Sequence, residues 1–598
     1  MSKLNLKSSK IFLVALLLGG TITSCSTDQT ARKVLKKETT LRLLPGEGNP
    51  RNSEGDFIKL ADGTILFVYS HFTDGAGDNA KAHLAGRYSS DNGESWTRED
   101  VTIVPNEGQM NTMSVSLLRL KSGDIAMLYL RKNSAKVCIP YLRISTDETK
   151  NWSKPKRCID TDGYFVVNNN RLIQLNNNRI IFPSSRHDSG SFGVVQCYFS
   201  DNDGKTWSHS QEVANPDSIT LQEPGMVELK DGKLLLFCRT DAGVQYFSYS
   251  SDKGETWTPI QPGNIKSPLS PASIKRIPAT GDLLLVWNNN FEPVRDGGDR
   301  TPLNVAISKD EGKTWDKIKT VESDPKGWYC YTAIEFIGND VLLGHCAGDT
   351  RINSGLSTIN ITKLNLNWIY GDVIPDPYIK EDKDGVVKLA CEDKDAEIRY
   401  TLDGTLPDRE SGLLYTAPIK VSHITPLYMQ AFSDSKTQSS VVFDHIGTNV
   451  WQAAIPVSTS LKPGLSFRYY ENRFKNTKEI EKHTPLKSGV TDIVSLKKAQ
   501  QNENFAFIFD GFIKVPDDDT YSFFMTSNDA VLFLDNHLLL DNDGAYGIRT
   551  REVKVALRAG IHSVKIKFFQ LGGNSPLKLQ WESPKISKQE VTAGYFFH

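Results

Sequence analysis

The chain has 598 residues, of which 39% are apolar, 24% charged and 10% aromatic, and its formal net charge is −1. That length exceeds what one hydrophobic core organises, so several domains are expected. The balanced charge, with no Lys/Arg run longer than the RKVLKK of residues 32–37, excludes a nucleic-acid or polyanion surface.

From the N-terminus, the first element is a targeting segment. Lys3, Lys7 and Lys10 precede the apolar run IFLVALLLGG (residues 11–20), too short to span a bilayer, and ITSC ends at Cys25. The pattern resembles the lipobox of bacterial lipoproteins. That resemblance implies a signal peptide over residues 1–24, acylation of Cys25, and a linker over 25–37. It places the protein in the bacterial cell envelope, lipid-anchored at the outer membrane on the periplasmic or cell-surface face. Each buried CH₂ of an acyl chain contributes ~0.8 kcal/mol, so several chains anchor a protein without a spanning helix. The remaining seven cysteines, Cys138, Cys158, Cys197, Cys238, Cys330, Cys346 and Cys391, are scattered and lack C-x-x-C spacing. They read as buried thiols, with room for one bridged pair, and as neither a disulfide framework nor a zinc site. No metal and no cofactor are expected.

Beyond residue 38 one stretch keeps returning. SSDNGESW begins at Ser89, SDNDGKTW at Ser200, SSDKGETW at Ser250 and SKDEGKTW at Ser308, with a worn copy, STDETKNW, at Ser145. The closing tryptophans, Trp96, Trp152, Trp207, Trp257 and Trp315, recur roughly every 50 to 60 residues, a period typical of propellers and solenoids. Between copies lie short alternating runs such as TILFVYS, IAMLYLR, RIIFPSS, KLLLFCR and DLLLVWN, each after a Gly- or Asn-containing turn, which predicts strands. Within each copy the glycine permits a positive φ, and Asp91, Asp252 and Asp310 can accept from backbone amides two residues on. Five copies make poor catalytic centres and good staples.

The repeat resembles the Asp box, or bacterial neuraminidase repeat, of sialidases. The resemblance implies an all-β, six-bladed β-propeller over residues 38–370, in which one blade lacks the box.

A sialic acid carries a carboxylate on its anomeric carbon, and planar bidentate arginines hold such a group best. That carboxylate would repel an anionic nucleophile, which accounts for the tyrosine used by sialidases. A phenol of pKa about 10 needs a neighbouring carboxylate base. The chemistry therefore asks for three arginines, one acid and a Glu–Tyr pair.

LQEPGMVELKDGKLLLFCR (residues 221–239) resembles the sialidase segment carrying the base and the second arginine, which implies Glu223 and Arg239. RTPLNVAISKDEG (300–312) resembles the segment of the third arginine and implies Arg300, with Arg295 as its neighbouring candidate. WYCYTAIEFI (328–337) resembles the Tyr-Ser-x-Leu segment and implies Tyr331 as nucleophile; Tyr329, on the same strand face by alternation, is the rival. The first arginine is Arg51, in NPRNSEGDFIKLADG (49–63), although sialidases read Arg-Ile-Pro there. The departure brings two carboxylates, Glu54 and Asp56, near the expected carboxylate site, where either could retune the pocket. The acid is Asp78, which precedes the strand entering the first box, in preference to Asp74, which reads as a turn residue. GYFVVNNNR (163–171) and SSRHD (184–188), with Arg186 and His187, read as loops that are either solvated or line the cleft. Met110 and Met113 read as core filling or an apolar wall.

The assembled reading is a retaining exo-α-sialidase acting on sialylated glycans through a glycosyl-tyrosine. Arg51, Arg239 and Arg300 clamp the carboxylate, Asp78 protonates the leaving group, and Tyr331 attacks as Glu223 takes its proton. Two alternatives share these residues: a glycosidase for a related 2-keto-3-deoxy sugar acid, and a non-catalytic glycan-binding surface lectin.

After residue 370 the boxes stop. IRYTLDGTLPDRESGLLYTAPI (398–419) resembles the small β-sandwich that ends chitobiases, which implies such a domain over 371–447. From Trp451, GLSFRYYE and the segment from Ala506 to Gly544 resemble the carbohydrate-binding β-sandwich named from anthrax protective antigen, which implies a domain over 448–598. Asn528–Asp529 stands where some members hold calcium with an acidic pair. Glycan binding and a purely structural role both remain open for it.

Overall fold

The structure is a computed structural model; it describes residues 37–598 except 188–191, 291–299, 434–435, 437, 458–459, 475, 544–547 and 572–574. Cys25 with its preceding segment, and Arg295, lie outside the described residues. Those described form ten antiparallel sheets, with one five-residue α-helix (Leu366–Tyr370) and a few 3₁₀ turns.

Six sheets succeed one another along the chain. They begin with the strands Arg51–Lys59, Asn111–Arg119, Phe165–Val166 with Ile173–Gln174, Gln222–Glu228, Ser273–Arg276 and Gly327–Ile337. Each of the first five is a meander that ends on its own fourth strand. The sixth holds only Gly327–Ile337, Asp340–Asp349 and Ile359–Asn365 from its own stretch. Its fourth strand is Lys37–Leu43, from the other end of the sequence, paired antiparallel to Ile359–Asn365.

The middle strands are apolar on both faces because sheets pack against them from both sides. Ile65–Phe72 and Ile180–Arg186 are buried nearly throughout. Successive sheets share cores. Val68 and Tyr129 lie in one such cluster, Phe72 and Phe182 in the next, Ile181 and Leu234 in a third. First and sixth sheets also share one, since Phe57 and Phe67 pack with Leu342 and Ile361. Each fully buried side chain of this size is worth ~1.5–3 kcal/mol.

The repeated stretch is the turn between the third and fourth strands. Its serine hydroxyl accepts from the amide four residues on, as in Gly93 N to Ser89 Oγ at 2.9 Å, and the same contact recurs at Ser145, Ser200, Ser250 and Ser308. The aspartates also reach four residues on and not two: Asp91 accepts from Ser95 N at 2.9 Å, and Asp252 and Asp310 do likewise. Gly204 (φ +78°) is pressed on Leu142 of the preceding sheet, where a Cβ would fall 2.2 Å from it. Gly93 meets Leu342 of the sixth sheet in the same way. The sheet without a box is the one whose fourth strand comes from the chain start, so it has no such turn to make.

Two further pairs of sheets follow. Tyr378–Lys383 to Val442–Ile446 form a three-stranded and a four-stranded sheet around Val387, Leu427 and Met429. Leu465–Glu471 to the C-terminus form a seven-stranded and a four-stranded sheet around Phe507, Tyr521 and Trp581. Lys326, just ahead of the strand Gly327–Ile337, docks this last unit, with Nζ donating to the carbonyls of Asp541 (3.3 Å) and Asp543 (3.4 Å). All seven cysteines named above are free thiols, and among the described residues no group of acidic, His or Cys side chains is arranged to hold a metal.

Candidate active site

The first strands of four sheets carry the same irregularity at the same level. Their ladders slip between Ser53 and Asp56, Met113 and Ser116, Gln222 and Gly225, and Cys330 and Ala333. In each bulge the first inserted residue is left-handed: Glu54 (φ +53°), Ser114 (φ +54°), Glu223 (φ +48°) and Tyr331 (φ +56°). Left-handed backbone costs a non-glycine residue ~1–3 kcal/mol, and bulges re-aim side chains beside functional sites. Here all four re-aimed side chains face one cavity of about 810 Å³.

Packing enforces the strain. Gly55 and Gly225 lie so close to Phe67 and Phe237 that a Cβ would fall 2.3 Å and 2.4 Å from the rings. Asn169, in the break between the two short strands of the third sheet, donates to Gly55 O at 2.6 Å and Tyr331 O at 3.0 Å, tying two bulges together. Arg171 donates to Ala272 O at 2.8 Å, and Ser273 Oγ donates to Thr332 O at 2.6 Å.

Within the cavity the Tyr331 hydroxyl donates to Glu223 Oε1 at 2.8 Å, and Arg239 Nη1 donates to Glu223 Oε2 at 2.5 Å. Arg300 is buried, its guanidinium carbon 5.6 Å from the centre of the Tyr331 ring, and its Nε and Nη1 have no hydrogen-bond partner among the described residues. Arg51 is buried over the Phe72 ring, donates to Asp78 Oδ1 at 2.5 Å, and lies 3.7 Å from Glu54. Asp78 is exposed at the cavity mouth. Arg51 and Arg239 also each keep a buried Nε without a partner among the described residues. Two guanidiniums, Arg239 and Arg300, thus line the cavity with a third, Arg51, behind Asp78, and planar guanidiniums so grouped suit an anion.

The charges set the proton positions. Burial would raise the Glu223 carboxyl, but Arg239 and Arg300, with the hydrogen bonds from Arg239 and Tyr331, hold it below its ordinary value. Burial, reinforced by the charge of Glu223, lifts the Tyr331 phenol well above 10. The resting pair is therefore a phenol donating to a carboxylate. Desolvation by its neighbours opposes ionisation of Asp78 even though its side chain reaches solvent, yet the charge and hydrogen bond of Arg51, with Lys132 and Arg300 behind, hold it low. For Glu54 burial prevails over Arg51 and Ser114, and its carboxyl rises to about 7.

The structure brings Asp78, Glu223, Tyr331, Arg239 and Arg300 together in the cavity wall, with Arg51 behind Asp78. Tyr329 does not line the cavity; its ring packs 6.2 Å from that of His345. Alternation put both tyrosines on one face, and the bulge separates them. Asp74 accepts from Lys81 N at 2.6 Å, closing its turn. Asp56 is a correction: it turns from the cavity and accepts from the Phe57 and Leu117 amides and Asn170 Nδ2, all at 2.7 Å. Tyr164 to Asn168, His187 and Met113 line the cavity, whereas Arg186 pairs with Glu212 at 3.2 Å.

Sequence reasoning missed Ser114 and Lys132. Lys132 is buried and donates to Asp78 O at 3.2 Å and Tyr164 Oη at 2.9 Å. No sequence signal set Lys132 apart, because it stands in RKNS, the polar end of the strand Ile125–Ser134.

Comparison with known proteins matches three family models to the chain: a BNR repeat-like domain over residues 105–341, a chitobiase/β-hexosaminidase C-terminal domain over 381–443 and a PA14 domain over 461–594. A sialidase of Bacteroides fragilis (strain YCH46) is 25% identical over 210 residues, 33% of this chain and 37% of the relative. A sialidase of Vibrio cholerae (Classical Ogawa 395) is 30% identical over 165 residues, 23% of this chain and 21% of the relative. The chain thus spans 37% and 21% of the lengths of these relatives. Among solved structures, the intramolecular trans-sialidase from Ruminococcus gnavus aligns with a TM-score of 0.45 at 14% identity, over 54% of this chain and 97% of that one.

Proposed function

We propose that the chain is a retaining exo-glycosidase that releases terminal sialic acid from glycoconjugates, built on a six-bladed β-propeller and held at the cell envelope by lipid on Cys25. The observation that carries the catalytic reading is Glu223, which binds the buried Tyr331 phenol through one oxygen and Arg239 through the other, beside an Arg300 with two unused donors. The propeller reading is supported by the six consecutive sheets and the core shared between the first and last.

The substrate carboxylate binds among Arg51, Arg239 and Arg300. As it draws Arg51 from Asp78, Asp78 loses the partner that holds its proton affinity down and becomes able to protonate the departing glycan oxygen. Tyr331 attacks the anomeric carbon while its proton passes to Glu223, and the guanidiniums stabilise the negative charge that develops. Water then cleaves the glycosyl-tyrosine with Asp78 as base, and two displacements retain the configuration.

The test is release of fluorophore from an aryl α-sialoside by the wild type and Tyr331→Phe, with the product anomer followed by NMR. Turnover surviving in Tyr331→Phe, or an inverted first product, sinks the mechanism. Binding without turnover by the wild type establishes a lectin. A related 2-keto-3-deoxy sugar acid is the second reading, favoured by the NSEGD that follows Arg51 in place of Ile-Pro and sets Glu54 in the cavity wall. Faster turnover of that glycoside would select it.

A further inference from the structure

The proposed mechanism gives no role to the buried carboxyl of Glu54. Glu54 sits at the same left-handed bulge position as Glu223 and Tyr331, faces the same cavity, and is 6% exposed. Arg51 approaches it only to 3.7 Å, being already committed to Asp78 at 2.5 Å, while Ser114 Oγ donates to Glu54 at 3.0 Å. A buried carboxyl whose one close cation stands at 3.7 Å and is shared with a second carboxylate is disfavoured as an anion.

Resting on the reading of this cavity as a carboxylate-binding site, we propose that Glu54 is a ligand-binding residue that acts as the neutral acid, donating a hydrogen bond to the substrate's carboxylate beside Arg51. Two carboxyl groups that share one arginine share a proton far more readily than they both ionise. A substrate anion held by Arg51 therefore keeps Glu54 protonated, and a protonated Glu54 offers that anion a donor. Substrate binding then takes up one proton whenever Glu54 is ionised in the free protein. The groups facing Glu54 are Arg51 on its own strand, Asp78 from the following loop, Glu223 from the fourth sheet and Ser114 from the second, with Cys138 and Tyr164 farther off. Asp78 and Glu223 are held below their ordinary values and the thiol and phenol above theirs, while Glu54 rises to about 7; Asp56 rises likewise but faces away from the cavity, and His187 also lines the wall, so the Glu54→Gln comparison assigns the proton.

The experiment is calorimetric titration of the full chain with the 2,3-dehydro analogue of N-acetylneuraminate, between pH 5.5 and 8.5, in buffers of different ionisation heat. The wild type should take up close to one proton per ligand at the alkaline end, with affinity falling about tenfold per pH unit above 7. Glu54→Gln, which keeps the shape but cannot ionise, should show neither the proton uptake nor the fall in affinity with pH. Ser114→Ala removes a donor that favours the anion and should move the midpoint of proton uptake upward. Proton uptake unchanged in Glu54→Gln, or a midpoint unmoved in Ser114→Ala, overturns the assignment of Glu54 alone. No binding by wild type at any pH overturns the reading of the cavity, and this inference with it.

Discussion

The hydroxyl of Tyr331 and the carboxylate of Glu223 meet at 2.8 Å across two different sheets, 108 residues apart in sequence, each carried inward by its own strained bulge. Neither strand could make that contact in regular geometry, because alternation would point the side chain into a sheet interface. The pairing is thus a property of the bulges. Tyr331→Phe deletes a hydroxyl but leaves Glu223 bound to Arg239, so it should cost only ~1 kcal/mol of stability. Turnover should fall by about 10³-fold or more, since the proposed nucleophile is gone. Thermal unfolding with steady-state kinetics separates the two effects, and a large loss of stability would mean that the phenol is a structural strut.

Asp78 is exposed and paired with Arg51 at 2.5 Å, so an acid role depends on the leaving group. Asp78→Asn should slow cleavage of sialyllactose by about 10²- to 10⁴-fold, and activated aryl glycosides much less. Equal losses on both would remove Asp78 from proton donation.

Glu54 carries a pH signature independent of any ligand. Its folded carboxyl lies at about 7 against an ordinary 4.5, mainly through burial, so its contribution is fully present below pH 4.5 and is lost as pH rises through about 7. At pH 8 the ionised, buried group would cost up to about 3 kcal/mol. Glu54→Gln should therefore gain stability over wild type at pH 8 relative to pH 5, read from urea midpoints. A difference that stays constant with pH would show that Glu54 keeps its ordinary proton affinity in the folded chain.

Asn169 holds the Gly55 and Tyr331 carbonyls with one amide group. Asn169→Ala strands two buried acceptors, at ~1–3 kcal/mol each. The variant should melt several degrees lower and lose kcat more than substrate affinity, because the bulge of Tyr331, the proposed nucleophile, is released while Arg239 and Arg300 stay in place. Loss confined to KM would contradict this.

Much of the architecture could be read from the sequence because its signals are local. The Ser–Asp–Gly–Trp turns are written out, and the alternating runs between them became strands. The residues suggested by resemblance to sialidases lie near one another, but what brings them together is not written in any motif. The bulges fall in SEG, MSV, QEP and CYT, which share no pattern, because a bulge is imposed by partner strands and rings such as Phe67 and Phe237. Alternation therefore failed at Tyr329 against Tyr331, and proximity in sequence misplaced Asp56, which lies two residues from Glu54 yet faces the backbone amides of a neighbouring sheet. Lys132 went unnoticed because its partners, Asp78 O and Tyr164, come from other loops.

The strand Lys37–Leu43 pairs with Ile359–Asn365, more than three hundred residues downstream. During synthesis it emerges first of the described strands and finds its partner last. At ~5–20 residues per second the ribosome leaves it waiting on the order of tens of seconds, with its backbone donors and acceptors unpaired. The opening strand also explains its own composition: KETTLRL is polar and charged through most of its length, with Leu43 alone fully buried, so it can wait in water without inviting a stranger to pair.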